Sequence, residues 1–348
     1  MSPILEPVVR RPPLGSPTPA APARDFWSPM PSRVPHTARI VAAFATLYVV
    51  WGSTYLFIRI GLDAGMPPAL FGGLRLVPAG LLLFGLALAR RSGLRISRRD
   101  LTTASVVGIL LLCGGMYGTF LAEQYIPSGL AALIVALLPL WIAAAEAVIP
   151  GMDRPTWMGW LGLTIGFVGL AVLMIPTISG FSGSPEQLLG VAIEIIATWL
   201  WTAGTIVSKR RPLKVDGTVA TGYEMLVAGG VLLVLGLAQG EWTQLPAAMS
   251  QPAGIGSLVY LIVVGSALAF TAFMWLIRNV TASKVMTYAY VNPVVAVFLG
   301  WLVLSEPVDG WMLAGMAIIV AGVALTTAAP VRPGSLTVGA PLAEPSEI

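Results

Sequence analysis

Four stretches of this chain each run for about one membrane thickness without a charge. Between Arg39 and Arg59, Asp100 and Glu123, Glu123 and Glu146, and Lys284 and Glu306 lie 19, 22, 22 and 21 uncharged residues. A helix needs about 20 apolar residues to cross roughly 30 Å of hydrocarbon. Within that layer the backbone N–H and C=O groups must be satisfied by the protein itself, which a helix does inside a single segment. Composition carries this beyond the four runs: 56% of the side chains are hydrophobic, 10% are charged, and the mean hydropathy is +0.84. An ordinary soluble chain is about 25% charged, so the sequence predicts an all-α integral membrane protein with many spans.

Spans of about 20 residues, divided at helix breakers, predict ten transmembrane helices. They fall near residues 40–60, 69–89, 101–122, 128–149, 157–175, 188–207, 219–238, 254–277, 281–303 and 310–328. Lys and Arg accumulate on cytoplasmic loops, and with both termini cytoplasmic 18 of the 20 basic residues fall on that side. The other connections carry Asp63, Glu123, Glu186, Glu241, Glu306 and Asp309, all acidic. Residues 1–39 contain ten prolines and five arginines and lack an apolar core of signal-peptide type, so they read as a disordered cytoplasmic arm. Residues 329–348, rich in Pro, Gly and Ser, read as a disordered cytoplasmic tail.

Residue inventory removes several function classes. The net charge of +4 is distributed loop by loop across a membrane and does not form a nucleic-acid surface. A single cysteine, Cys113, leaves no cysteine pair, and the single histidine, His36, lies in the proline-rich leader, so zinc–histidine catalysis and a Ser/His triad have no residues to use. No GxxxxGK[ST] phosphate loop is present, so the reading includes no cofactor, no metal and no ATP. Asn279, Val280 and Thr281 match a glycosylation sequon but fall on the predicted inner side.

The chain also repeats itself. YIPSGLAALIVALLP at 125–139 precedes NVTASKVMTYAYVNP at 279–293 by 154 positions, which places Pro139 opposite Pro293. Trp51, Gly72 and Gly80 correspond to Trp201, Gly222 and Gly230 at an offset of 150, and Gly162 and Gly169 to Gly315 and Gly322 at 153. The predicted domains are therefore two five-helix repeats, 40–175 and 188–328. Five is odd, so the second repeat starts on the opposite side of the membrane, and the repeats are inverted. That arrangement lets one scaffold face either side by exchanging the roles of its halves.

These residues resemble a known family. WGSTYLFIRIGLDAGMPPALFGGLRLVPAGLLL, from Trp51 to Leu83, is similar to the opening of an EamA-type half in the drug/metabolite transporter superfamily. YIPSGLAALIVALLP and NVTASKVMTYAYVNPVVAVFLGWLVLSEPVDGWMLAGMAIIVAGVAL resemble the closing parts of such halves. One departure stands out: the turn Ser305, Glu306, Pro307 is matched in the first half by Gly151, Met152 and Asp153. The resemblance implies an inner-membrane secondary transporter that exports or exchanges small organic solutes such as amino acids, metabolites or drugs.

A charge in mid-span costs about 3 kcal/mol on insertion scales, so intramembrane ionisable groups are the leading site candidates. Arg75 and Glu194 lie at similar depths in spans 2 and 6, where they can pair in a central cavity, or Arg75 can attract a solute carboxylate and Glu194 can carry a coupling proton. Snorkelling to the interface is the alternative. Trp51, Trp199 and Trp201 are candidates for a pocket wall; Tyr288, Tyr290, Asn292 and Pro293 lie mid-span in TYAYVNP, where proline frees a backbone carbonyl. Glu146, Glu224 and Lys284 fall near inner span ends, as interfacial anchors or as a cytoplasmic gate in which Lys284 meets a carboxylate. Gly114 with Gly118, and Gly162 with Gly166, fit close helix packing.

The functional expectation is alternating-access export of a small organic solute by a chain that can act as a monomer among membrane lipids. The competing readings are an intramembrane lipid-modifying enzyme and a regulatory membrane protein without transport.

Overall fold

The structure, a computed structural model, describes residues 36–126, 128–175, 182–304 and 308–333. The turn Ser305–Pro307, most of the predicted amino-terminal arm and the end of the tail lie outside the described residues.

Along the described residues the longer helices are, in order, α1 His36–Asp63, α2 Pro68–Ala89, α3 Arg98–Ala122, α4 Leu130–Val148, α5 Trp157–Leu173, α6 Pro185–Arg210, α7 Gly217–Ala238, α8 Pro252–Asn279, α9 Ala282–Leu299 and α10 Gly310–Ala328. Among the described residues, nine are long and apolar enough to cross a membrane, and the tenth, α5, is apolar but has only 17 residues. Local sequence explains several starts. Ser97, Asp216 and Asp309 accept hydrogen bonds from the first free N–H groups of α3, α7 and α10, at 3.0, 2.9 and 2.8 Å. Pro68, Pro185 and Pro252 occupy first-turn positions, where the missing N–H costs nothing. The first helix begins at His36, inside the predicted arm, and Val331–Arg332 of the predicted tail pairs antiparallel with Arg154–Pro155.

Irregularities recur in matched places. The third and eighth helices each contain a π-helical segment, Ile109–Met116 and Leu261–Leu268. Helices α4 and α9 are each interrupted: after Val135, just ahead of Pro139, and after Val285, ahead of Pro293. Packing is matched too. The fullest interfaces are α2 on α7 and α5 on α10. Beyond these, α1 packs on α8 and α9 while α6 packs on α3 and α4, and α2 meets α8 while α7 meets α3.

Glycines permit the closest approaches. A Cβ on Gly80 would lie 2.9 Å from the Gly222 carbonyl, and one on Gly162 would lie 2.6 Å from Thr326 N. Gly114 and Gly118 receive Leu200 and Ala197 of α6. Two glutamates tie helices together at their ends. Glu241, after α7, accepts from Ala69 N and Leu70 N of α2 at 3.1 and 2.8 Å. Glu146, in α4, accepts from Ala282 N and Ser283 N at the start of α9, at 2.9 and 3.4 Å. Each places negative charge where a helix presents unpaired N–H groups.

Candidate functional site

A cavity of about 800 Å³, counting the space at its mouth, lies between the segments that contain α1–α4 and α6–α9. Its walls are mostly apolar, including Ile58, Leu76, Leu112, Met116, Val135, Leu138 and Met225. Ligand pockets commonly combine apolar walls with a few placed polar groups, and here those groups come from α2, α3, α6, α8 and α9.

Arg75 of α2 is 6% exposed, and its Nε donates to Ser266 Oγ of α8 at 2.7 Å. Glu194 of α6 is 0% exposed; its Oε1 accepts from Thr119 Oγ1 of α3 at 3.0 Å, and its Oε2 has no hydrogen-bond partner. Asn292 of α9 is 1% exposed, and its Oδ1 is likewise unpartnered. Arg75 and Glu194 share the cavity without touching: neither has an oppositely charged side chain within 4.0 Å among the described residues. The cavity thus holds a guanidinium fixed by one hydroxyl and two carbonyl-type acceptors with capacity to spare.

Aromatic rings close one end. Trp51 meets Trp201 edge-on with centroids 5.8 Å apart, Tyr288 at 4.8 Å and Phe273 at 5.2 Å. Both tryptophans sit on a glycine of a π-helical segment. Trp51 Nε1 donates to the Gly265 carbonyl at 3.2 Å, and the Trp201 ring lies where a Cβ on Gly115 would stand, 2.6 Å from its Cε3. The Trp201 Nε1 is buried without a partner.

The cavity therefore gathers Trp51, Arg75, Glu194, Trp201, Tyr288 and Asn292 from the sequence candidates. Trp199 is elsewhere, 54% exposed on the outer surface of α6 with its ring 6.1 Å from that of Trp141. Tyr290 is fully buried against α5, where its hydroxyl donates to the Leu163 carbonyl at 3.0 Å. Pro293 is buried in α9 beside Asn292 but is not part of the cavity lining.

Glu146, Glu224 and Lys284 do not come together with the cavity lining. Glu146 caps α9, while Lys284 Nζ donates to the Thr327 and Ala329 carbonyls at the end of α10, at 2.7 and 2.8 Å. Glu224 is buried in α7 with Oε2 unpartnered. Near Glu146, Lys209 Nζ donates to the Val280 carbonyl at 2.8 Å and lies 4.0 Å from Asp153. This end of the bundle is further closed by the Tyr48 and Thr287 hydroxyls, 2.7 Å apart.

Ser266, Thr119, Gly115 and Gly265 escaped sequence reasoning. The two glycines were reachable: they stand 150 positions apart, as Trp51 and Trp201 do. The hydroxyls carried no signal, since small polar residues are frequent in membrane helices.

Comparison with known proteins follows the same division of the chain. The sequence model of the EamA-like transporter family matches residues 39–175 and 188–328. The inner membrane transporter YedA of Escherichia coli strain K12 is 36% identical over 290 residues, covering 83% of this chain and 90% of that protein. The transporter YvbV of Bacillus subtilis strain 168 is 29% identical over 296 residues, covering 82% and 91%. An S-adenosylmethionine/S-adenosylhomocysteine transporter of Chlamydia muridarum is 27% identical over 311 residues, covering 81% and 94%. A solved crystal structure superposes with a TM-score of 0.68 at 22% identity, over 83% of this chain and 97% of that one, which speaks to the fold alone. On the match of both segments to the family and the likeness to YedA, the chain belongs to the EamA-like transporter family.

Proposed function

We propose that this protein is a secondary transporter of the inner membrane that carries a small organic solute through the cavity between its two segments by alternating access, in the direction of export. The observation that carries the reading is the cavity itself. It is lined about equally by two segments, is closed at one end by a tryptophan pair drawn from both, and contains Arg75, Glu194 and Asn292 deep in membrane-spanning helices. Intramembrane ionisable groups facing a cavity mark solute or ion pathways.

In this reading the chain crosses the membrane ten times as two inverted repeats, with α5 as the short fifth span and both termini cytoplasmic. The matched π-helical segments and the matched helix packings support the repeat. The antiparallel course of α2 against α7 and of α5 against α10 supports the inversion: Leu70 meets Gly236 while Gly80 meets Gly222, and Gly162 meets Thr326 while Gly315 meets Leu173.

Arg75 receives an anionic group of the solute, and Glu194 with Asn292 receives a hydrogen-bond donor or cationic group, so an amino acid or related metabolite fits the polar layout. The S-adenosylmethionine/S-adenosylhomocysteine transporter among the relatives handles a solute of that general kind, with an amino-acid moiety. One chain supplies the complete cavity, consistent with a monomer as the working unit. Glu146, Lys209 and Lys284 bind the inner end closed.

The test is untargeted mass spectrometry of medium and cell contents from matched cultures that express this chain or its Arg75→Ala variant at equal membrane levels. A compound enriched outside only with the unmodified chain supports export and nominates the solute. Identical profiles, together with no saturable uptake by the purified protein, would overturn the reading.

A further inference from the structure

The cavity lining contains its own repeat. At the offset of 150, Trp51 pairs with Trp201, Arg75 with Met225, Gly115 with Gly265, Met116 with Ser266 and Phe120 with Phe270; at 154, Leu138 pairs with Asn292. All twelve residues line the same cavity, so its centre maps onto itself when the two segments exchange roles.

Other lining residues do not. Thr54, Ile58 and Leu76 of the first segment correspond to Gly204, Ser208 and Leu226, none of which lines the cavity. Glu194, Ala197 and Thr198 of α6 correspond to Phe44, Leu47 and Tyr48 of α1, which also lie outside it. The counterparts on α1 and α6 lie towards the other end of the same helices and are packed shut, whereas Leu226 follows the lining residue Met225 in mid-α7 and packs against Gly80. Leu47 is fully buried, Ser208 is buried, Leu110 and Leu111 fill the space beside Gly204, and Tyr48 is held by Thr287.

We propose that exchange of the two segments opens a second vestibule at the opposite end, lined by Phe44, Leu47, Tyr48, Gly204 and Ser208, and that Glu194 leaves the pathway in that state. The inference rests on the alternating-access reading above. Its chemical content is an asymmetry between the two faces. The open end now holds a carboxylate, whereas the second vestibule offers one phenol, one hydroxyl and no formal charge on these positions. Arg75, Asn292 and the tryptophan pair belong to the self-matched centre and stay with the solute in both states. The solute therefore meets Glu194 from one face only, and a donor or cationic group on it is recognised on that face and released from recognition on the other.

Single-cysteine variants in a Cys113→Ser background test this without a known solute. Leu47→Cys, Ser208→Cys, Thr54→Cys, Leu76→Cys, Glu194→Cys and Met225→Cys are treated in sealed vesicles of each orientation with a small membrane-impermeant methanethiosulfonate. Leu47→Cys and Ser208→Cys are expected to react at least tenfold faster from the face that carries Lys209 and Arg154. Thr54→Cys, Leu76→Cys and Glu194→Cys react at least tenfold faster from the other face, and Met225→Cys reacts from both. The near-isosteric Ser208→Cys guards against a folding defect in Leu47→Cys.

The proposal is overturned if both Leu47→Cys and Ser208→Cys are inert from either face, if they react from the face of Thr54→Cys, or if Glu194→Cys reacts equally from both. With the solute that the culture comparison nominates, flux that persists alongside any of these contrary labelling patterns would sink the vestibule and leave the transport reading standing; absent flux would sink the transport reading itself.

Discussion

Replacing Gly322 by alanine tests the scaffold on which the cavity depends. A Cβ on Gly322 would stand 2.7 Å from Gly166 Cα and 2.8 Å from the Gly162 carbonyl oxygen, all backbone atoms of α5. Carbon contacts settle near 3.5–4.0 Å, so α10 has to retreat from α5 by about 1 Å. No side-chain rotation can relieve this, and the retreat loosens every contact along the pair, including Gly169 on Ile319 and Gly315 on Leu173. Overpacking of this kind costs about 1–3 kcal/mol. Gly230→Ala is the matched control, since nothing lies within 4 Å of a Cβ there. Alanine gains about 0.5–1 kcal/mol over glycine in a helix interior, but the detergent-unfolded state of a membrane protein keeps much of its helix, which shrinks that gain. In a sodium dodecyl sulfate titration from mixed micelles, Gly322→Ala is therefore expected to lower the unfolding free energy by about 1–3 kcal/mol, with Gly230→Ala near neutral. Equal stability of the two variants would refute the close backbone packing of α5 on α10.

Three further substitutions separate structural from pathway roles. Glu146→Gln removes the charge from a buried acceptor of two N–H groups, and loss of a charge-assisted bond of this kind costs about 1.5–3 kcal/mol in the same titration; a change below about 0.5 kcal/mol would refute the capping role. Tyr290→Phe deletes the hydroxyl bonded to Leu163 and is expected to cost about 0.5–1.5 kcal/mol of stability while leaving flux within about twofold, so a strong flux defect at unchanged stability would return Tyr290 to the pathway. Asn292→Leu, which copies its counterpart Leu138, removes an acceptor in the cavity, and a lost bond of about 1–1.5 kcal/mol raises the apparent KM about five- to tenfold. An unchanged KM would take Asn292 out of solute binding.

What was legible in the sequence follows from what a bilayer imposes. Span positions were readable because the hydrocarbon layer fixes the length of an apolar run, and α2, α5 and α10 fall within a few residues of expectation. Gly162 and Gly166 were readable as packing positions because only a missing side chain lets backbones meet. Helix rotation was not readable. Tyr288 and Tyr290 are two residues apart, about 200° around a helix, and one faces Trp51 while the other faces α5. Trp199 and Trp201 divide in the same way, one towards the surface and one towards the cavity. Partners across the bundle were hidden too. Glu146 reads as an interfacial anchor until α9 is seen to begin against it, and Lys284 reads as a mate for a carboxylate until the carbonyls ending α10 are seen within its reach.

The most direct measurement of the central claim is counterflow in proteoliposomes that contain only this protein, using the solute nominated by the culture comparison. Protein with Arg75 intact is expected to give saturable accumulation of labelled solute against preloaded unlabelled solute. Arg75→Ala, inserted to the same level, loses a charge-assisted contact of about 1.5–3 kcal/mol and with it about tenfold to a hundredfold in kcat/KM. Accumulation that does not saturate, or that is the same for Arg75→Ala, would contradict transport through this cavity.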